Sequence, residues 1–404
     1  MSDVGTVRDH GPAASAGADA DATSGTFAQG LRPDWVALAG EIGPGFAARA
    51  ANFDETDTFV AENYAELTAR RFFSAGVPAE LGGGGASHRE LCAVLRELAR
   101  HCGSTALALS MHTHLLAATV WRWRQQQPVE PLLRRIVEEQ IVLVSTGASD
   151  WLDSSGRAER VEGGYRVTGR KIFGSGAPAG TLLITSAVYD DPADGPTVLH
   201  FPVPLAAEGV TVLNNWRTLG MRASGSHDVL LENVFVPEGA VSLRRPQGQW
   251  HTFFNVVVTV ALPLVLSVYV GVAEAAANLA RGIARKKSQD RLDPNLPYLL
   301  GEMDNALVTA QLAVQGMVDL CDDYAFDPTV QTANAVLIRK TVAANACIQT
   351  VEKAFEVVGG GAFFRSVGLE RLLRDIHGAQ FHPLQEKRQH LFSGRVALGL
   401  DPVA

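Results

Sequence analysis

Residues Val357–Pro383 read VVGGGAFFRSVGLERLLRDIHGAQFHP: three successive glycines, a basic helical segment, and a histidine wedged between Phe381 and Pro383. Glycine lets another backbone or a phosphate approach closely, because no Cβ stands in the way. In LERLLRD, Leu369, Leu372 and Leu373 form one helical stripe, with Arg371 and Arg374 on the other side. Asp375 and His382 are seven positions apart and share a face if the helix continues between them. The segment predicts a Gly-rich turn, Gly359 and Gly360 at its head, that holds a cofactor, with His382 pointing at it.

Outward from this stretch the pattern changes twice. Helical periodicity is expected over Phe53–Phe73, over Ser87–His101 (opened by a Ser87/Glu90 capping box), and over Ser104–Trp123. After Gln140 short β-rich runs take over, including a strand pair at Arg160–Phe173 hinged on Gly163-Gly164. From Trp250 onward helices return, over Thr252–Lys286, Pro294–Tyr324, Val330–Val357 and Val367–Gln380. The expected units are a disordered leader over 1–30, a helical domain over 31–140, a central β domain over 141–246 and a helical bundle over 247–404.

Composition removes several function classes. A net charge of −8 offers nothing to draw a nucleic-acid backbone. The four cysteines (Cys92, Cys102, Cys321, Cys347) lack CxxC pairing, so they read as buried thiols in a reducing cytoplasm, with no metal site. Residues 256–273 carry no charge, and about 18 apolar residues begin to span a bilayer. Pro263 interrupts the run, and a helix buried in a bundle or subunit interface is the preferred reading. There is no G-x-S-x-G, H-E-x-x-H or P-loop.

The 357–383 segment resembles the last motif block of the acyl-CoA dehydrogenase superfamily of flavoproteins. Two further blocks fit in the same order. STGASDWLDSSGRAERVEGGYRVTGRKIFGSG resembles the family's T-E-P-x-x-G-S-D and G-x-K-x-[aromatic] blocks, and NNWRTLGMRASGSHDVLLENVFVP its W-x-x-x-G-M-R block. The resemblance implies an α+β fold, acyl-CoA dehydrogenase-like, with an N-terminal helical domain, a central β-barrel domain and a C-terminal four-helix bundle. It implies a flavin, FAD or FMN, contacted by Ser145, Thr146, Phe173, Ser175 and Trp216, with Gly359, Gly360, Arg285 and Lys287 toward the adenosine end of an FAD held across a subunit interface. It also implies a homodimer or homotetramer. His112, His251 and Asn255 are the candidate substrate contacts.

The departures bear on the chemistry. The position of the family's catalytic glutamate falls on Pro383, and His251–Ala273, where some relatives relocate it, holds no Asp or Glu. T-E-P is replaced by Leu143-Val144-Ser145, and the R-x-x-F-G element by Arg285-Lys286-Lys287-Ser288. The flavin monooxygenase branch instead resembles this chain in Phe173-Gly174-Ser175-Gly176 and in His382, although its H-D-P here reads His382-Pro383. His382 and Ser175 are the candidate catalytic residues. Three readings stand: an oxygen-using monooxygenase acting on a small or carrier-bound metabolite and fed reduced flavin by a separate reductase, an acyl-thioester dehydrogenase with a relocated base, or an idle flavin-binding scaffold.

Overall fold

The computed structural model describes residues 32–403 apart from 148, 149, 291 and 292; the expected leader over 1–30 lies outside them, as does Ser149. Five helices open the described chain: α1 (Trp35–Thr56), α2 (Ala61–Ala69), α3 (His88–His101), α4 (Gly103–Arg124) and α5 (Glu130–Glu139). The expected Phe53–Phe73 helix is two elements. Asp57 adopts a left-handed conformation (φ 50°) and breaks the chain between α1 and α2. α1 starts where Asp34 accepts a hydrogen bond from the Ala37 N–H, 2.9 Å. α3 starts where the Ser87 hydroxyl accepts from the Glu90 N–H, 3.2 Å, and turns its leucine stripe inward. The Gly83-Gly84 turn between α2 and α3 has a packing reason. A Cβ on Gly84 would fall 2.3 Å from the Trp35 ring, so these glycines make room for protein.

Eight strands follow: β1 (Leu143–Ser145), β2 (Arg157–Val161), β3 (Gly164–Gly174), β4 (Leu182–Asp191), β5 (Gly195–Pro204), β6 (Val210–Val212), β7 (His227–Pro237) and β8 (Leu243–Pro246). They form one eight-stranded sheet in the order β6-β7-β3-β2-β4-β5-β8, with β1 parallel to β4. The strands make up the central β domain that the resemblance implies, with β6 and β8 at the two ends of the path among the described residues. Its inward side chains, including Tyr165, Leu199, Phe201 and Leu231, make a core of their own.

The chain then returns to helices α6 (Thr252–Asp290), α7 (Leu296–Cys321), α8 (Val330–Val358), α9 (Leu369–Ile376) and α10 (Glu386–Ala397). α6 is the helix on which the others converge, packing against α3 and α4 as well as α7 and α8. N-terminal and C-terminal helices therefore share one hydrophobic core. The apolar window of α6 that could cross a membrane by length is 94% buried inside the protein. All four cysteines are free and buried.

Candidate active site

Strand β3 supplies the first part of the site. Its pairing with β7 shifts register between Lys171 and Gly174, and at that irregularity Phe173 takes a positive φ of 60°. A bulky aromatic in this region is strained, and such strain gathers at functional positions. The shift turns the ring outward, 45% exposed, where it meets Trp216 edge-on with centroids 6.0 Å apart. Trp216 is fixed from two directions. Its indole N–H donates to the Met221 carbonyl (3.1 Å), and its backbone N–H donates to His227 Nδ1 (3.0 Å). Burial, aided by Arg217, pushes the His227 imidazole down and keeps it neutral as an acceptor. The Ser175 hydroxyl follows directly, 2.7 Å from Ser226 Oγ.

The 216–221 turn is clamped to the C-terminal bundle. Asp375 of α9 accepts from the Met221 N–H, and Arg374 donates to the Leu219 carbonyl, 3.0 Å. Burial raises the Asp375 carboxyl to about 6. α9 stops at Ile376 and gives way to a 3₁₀ turn over His377–Gln380. Asp375 and His382 therefore do not share a helical face: the first holds Met221, the second meets Tyr269 of α6.

His382 Nε2 lies 2.7 Å from the Tyr269 hydroxyl. Tyr269 is fully buried, and this is the one hydrogen bond its hydroxyl makes among the described residues. A buried O–H needs an acceptor, so Tyr269 donates to Nε2 and the imidazole proton sits on Nδ1. Burial, with Lys340 and His114 nearby, lowers the His382 pKa to about 3, so the ring is neutral at physiological pH. It then offers an N–H and no charge. Lys340, buried, donates to the Leu384 carbonyl (3.1 Å) and is pushed down by burial to about 8. A cavity of about 540 Å³ opens beside this group, lined by Lys340, Thr341, Asn345, Phe381 and Gln385. The Thr341 hydroxyl on its wall is buried without a partner.

A third cluster joins Lys287 to the glycine turn. The Lys287 ammonium donates to the Val358 carbonyl, 2.6 Å, immediately before Gly359. Gly359 has φ 70° and ψ −155°, a conformation that side chains exclude, and a Cβ on Gly359 or Gly360 would point into open space. Arg285 stands exposed nearby along α6. Of the kinds of group a flavin and its phosphate would call on, these clusters hold exposed glycines, two cations, an unpartnered Thr341 hydroxyl and an aromatic pair of which Phe173 is exposed.

Other expected contacts are engaged, wholly or in part, by the protein itself. His112 is 1% exposed and uses both ring nitrogens on backbone: Nε2 donates to the Phe73 carbonyl (2.8 Å) and Nδ1 accepts from the Leu143 N–H (3.0 Å). It is a clamp between α4 and β1 with no nitrogen left for a substrate. Asn255 is likewise engaged, accepting from the Trp250 indole (2.8 Å) and donating to the Pro328 carbonyl (2.9 Å). His251 Nδ1 accepts from the Phe253 N–H, 3.1 Å, at the start of α6. The buried Thr146 hydroxyl pairs with Thr185 (2.8 Å), while Ser145 Oγ accepts weakly from the Gly147 N–H (3.4 Å).

Sequence reading missed Tyr269, Lys340, His227 and the Ser224–Ser226 pair. It also missed the buried Lys171–Asp150 ion pair, 2.7 Å, which anchors the loop after β1. For Lys171 a signal existed, since a lysine on the alternating pattern of β3 falls at a buried position. Tyr269 had none, because it lies inside an unbroken apolar run.

Two family models match the chain: "Acyl-CoA dehydrogenase, N-terminal domain" over residues 44–140 and "Acyl-CoA dehydrogenase, C-terminal domain" over residues 264–386. L-evernosamine nitrososynthase of Micromonospora sp. is 30% identical over 385 residues, 90% of this chain and 89% of the relative. Cyclohex-1-ene-1-carbonyl-CoA dehydrogenase of Geobacter metallireducens is 26% identical over 370 residues, 87% of this chain and 93% of the relative. The solved structure of KijD3 with FMN and a dTDP-linked amino keto sugar superposes with a TM-score of 0.81 at 28% identity, covering 94% of this chain and 97% of that one.

Proposed function

The chain belongs to the acyl-CoA dehydrogenase superfamily of flavin-dependent oxidoreductases, and from that premise we propose that it is a monooxygenase acting on a nitrogen or sulfur of a small polar metabolite. The observation that carries this reading is Pro383. Where a dehydrogenase needs a carboxylate to take the α-proton of an acyl thioester, this chain has a residue with no ionisable group. The nearest alternative, Glu386, is engaged by Asn345 (3.4 Å) and Lys387 (3.6 Å). Loss of a positioned base costs about 10²–10⁴ in rate. The nitrososynthase likeness agrees with oxygen transfer to nitrogen.

When bound, reduced flavin supplies the two electrons with which dioxygen yields one inserted oxygen atom and one water. The residues of the chain have separable tasks. Phe173 and Trp216 wall the ring system and exclude water. His382, neutral and held by Tyr269, donates a hydrogen bond from Nδ1 to an oxygen at the reacting centre. Ser175 donates from the opposite domain. Lys287 and the Gly359-Gly360 turn serve the phosphate end. FMN, delivered reduced by a separate reductase, suits an α6 end that lacks R-x-x-F-G. The exposed Leu312 and Tyr298 of α7 support association with further copies, and four free thiols support a reducing cytoplasm.

The test mixes the purified protein, loaded anaerobically with reduced FMN, with oxygenated buffer. The wild type is expected to release hydrogen peroxide more slowly than free reduced flavin does, and His382→Ala to release it as fast as free flavin. Acyl-CoA thioesters of any chain length should leave the oxidised, flavin-loaded protein unbleached under argon. Bleaching by any of them, or unchanged peroxide release in His382→Ala, overturns the proposal; bleaching would establish the dehydrogenase reading.

A further inference from the structure

Behind Ser175 lies a row of buried hydroxyls to which the function above gives no task. Ser175 Oγ is 2.7 Å from Ser226 Oγ, which is 2.7 Å from Ser224 Oγ. The loop is held in place from both sides. The Gly176 N–H donates to the Ser224 carbonyl, 2.9 Å, and Gly225 (φ 58°) presses against Phe59 and Pro178. Exposure falls along the row from 8% at Ser175 to 3% at Ser226 and 0% at Ser224.

Each serine has one hydrogen to donate and room to accept. Ser226 is the one side-chain hydrogen-bond partner of Ser224 among the described residues. If the row ran inward, the Ser224 hydrogen would be sealed in protein without an acceptor, an arrangement native interiors avoid. Run outward, Ser224 donates to Ser226 and Ser226 to Ser175. The last hydrogen then emerges at the end that solvent or a ligand reaches.

We propose that Ser224 and Ser226 are positioning residues that fix Ser175 as an outward hydrogen-bond donor to the ligand bound before it. The proposal rests on the functional reading above, in which that ligand is a flavin. An oxidised isoalloxazine presents an acceptor at N5 and the reduced ring presents an N–H there. A hydroxyl locked as donor therefore favours the oxidised state, whereas a hydroxyl free to turn serves either. Cutting the row at Ser226 unlocks Ser175 and improves binding of the reduced form relative to the oxidised one.

The experiment measures the midpoint potential of bound FMN at pH 7 in the wild type, Ser226→Ala, Ser226→Thr, Ser175→Ala and the Ser175→Ala/Ser226→Ala double variant. A tenfold gain for reduced over oxidised FMN in Ser226→Ala raises the potential by about 30 mV for a two-electron couple. Ser226→Thr, which keeps the hydroxyl, should match the wild type. Removing Ser226 in the Ser175→Ala background should change nothing further. An unchanged or lowered potential in Ser226→Ala overturns the proposal, as does the same rise without Ser175, which would mark a packing effect. A wild type that takes up no flavin refutes the functional reading alone. A neutron map of deuterium-exchanged crystals then decides the row by itself: deuterons running from Ser224 toward Ser175 uphold it, and the reverse order overturns it.

Discussion

His112 offers a quantitative contest between a substrate role and a structural one. Its replacement by leucine deprives the Phe73 carbonyl and the Leu143 N–H of their partner together. A buried backbone group left unpaired costs about 1–3 kcal/mol, so the variant should be roughly 2–6 kcal/mol less stable at pH 8. The pH dependence sharpens the case. Burial holds the folded His112 pKa at about 4, below the ordinary 6.5. Above pH 6.5 the ring is neutral in both states and carries no penalty. As pH falls, the unfolded chain takes a proton that the folded one refuses, and stability drains away until the folded pKa is passed. By pH 5 this amounts to about 2 kcal/mol, and the leucine variant escapes it. Equilibrium urea unfolding of both proteins at pH 8 and pH 5 should show the gap narrowing by that amount. Unaltered stability at pH 8 combined with a raised KM would return His112 to the substrate pocket and refute the argument.

Two further outcomes follow from the geometry. Lys171→Met removes the ammonium 2.7 Å from the Asp150 carboxylate, whose side chain is 2% exposed, and should cost about 3–5 kcal/mol in urea unfolding, with Lys171→Met/Asp150→Leu recovering most of it. Gly359→Ala meets no atom within 4 Å, yet it forces a side chain into φ 70°, ψ −155°, so a loss of about 1–3 kcal/mol is expected from strain alone. Gly360→Ala has no such positive φ and should melt like the wild type. Equal melting temperatures for the two alanine variants would show that the turn is not strained.

The order of helices, strands and helices was legible because the hydrophobic period switches at Gln140 and again at Trp250, and α8 ends within one residue of its expected limit. α1 was not. Gly40 and Pro44 lie inside it and lower its propensity, while its real start signal, the Asp34 cap, spans only three residues. In the site, motif spacing singled out Phe173, Trp216 and His382, which the structure places at strained, exposed or hydrogen-bonded positions. Motif spacing cannot tell a ligand-facing histidine from a clamp. His112 and Asn255 have suitable chemistry, but their polar atoms are consumed by backbone and indole partners far away in sequence. Tyr269 fixes the His382 tautomer from 113 residues away, a distance over which periodicity carries no information.

The length and position of α6 have a consequence for synthesis. Its 39 residues form a rod about 58 Å long at 1.5 Å per residue, and α3 and α4 pack directly onto it. At roughly 5–20 residues per second, the ribosome completes Asp290 some 10–30 s after Arg124. During that interval the two N-terminal helices hold greasy faces whose mate has not been made. The first half of α6, charge-free over residues 256–273, emerges ahead of α7 and α8, resembling cargo for the membrane-insertion machinery until the bundle closes round it. The nascent chain thus passes through a window in which apolar faces made early stand uncovered.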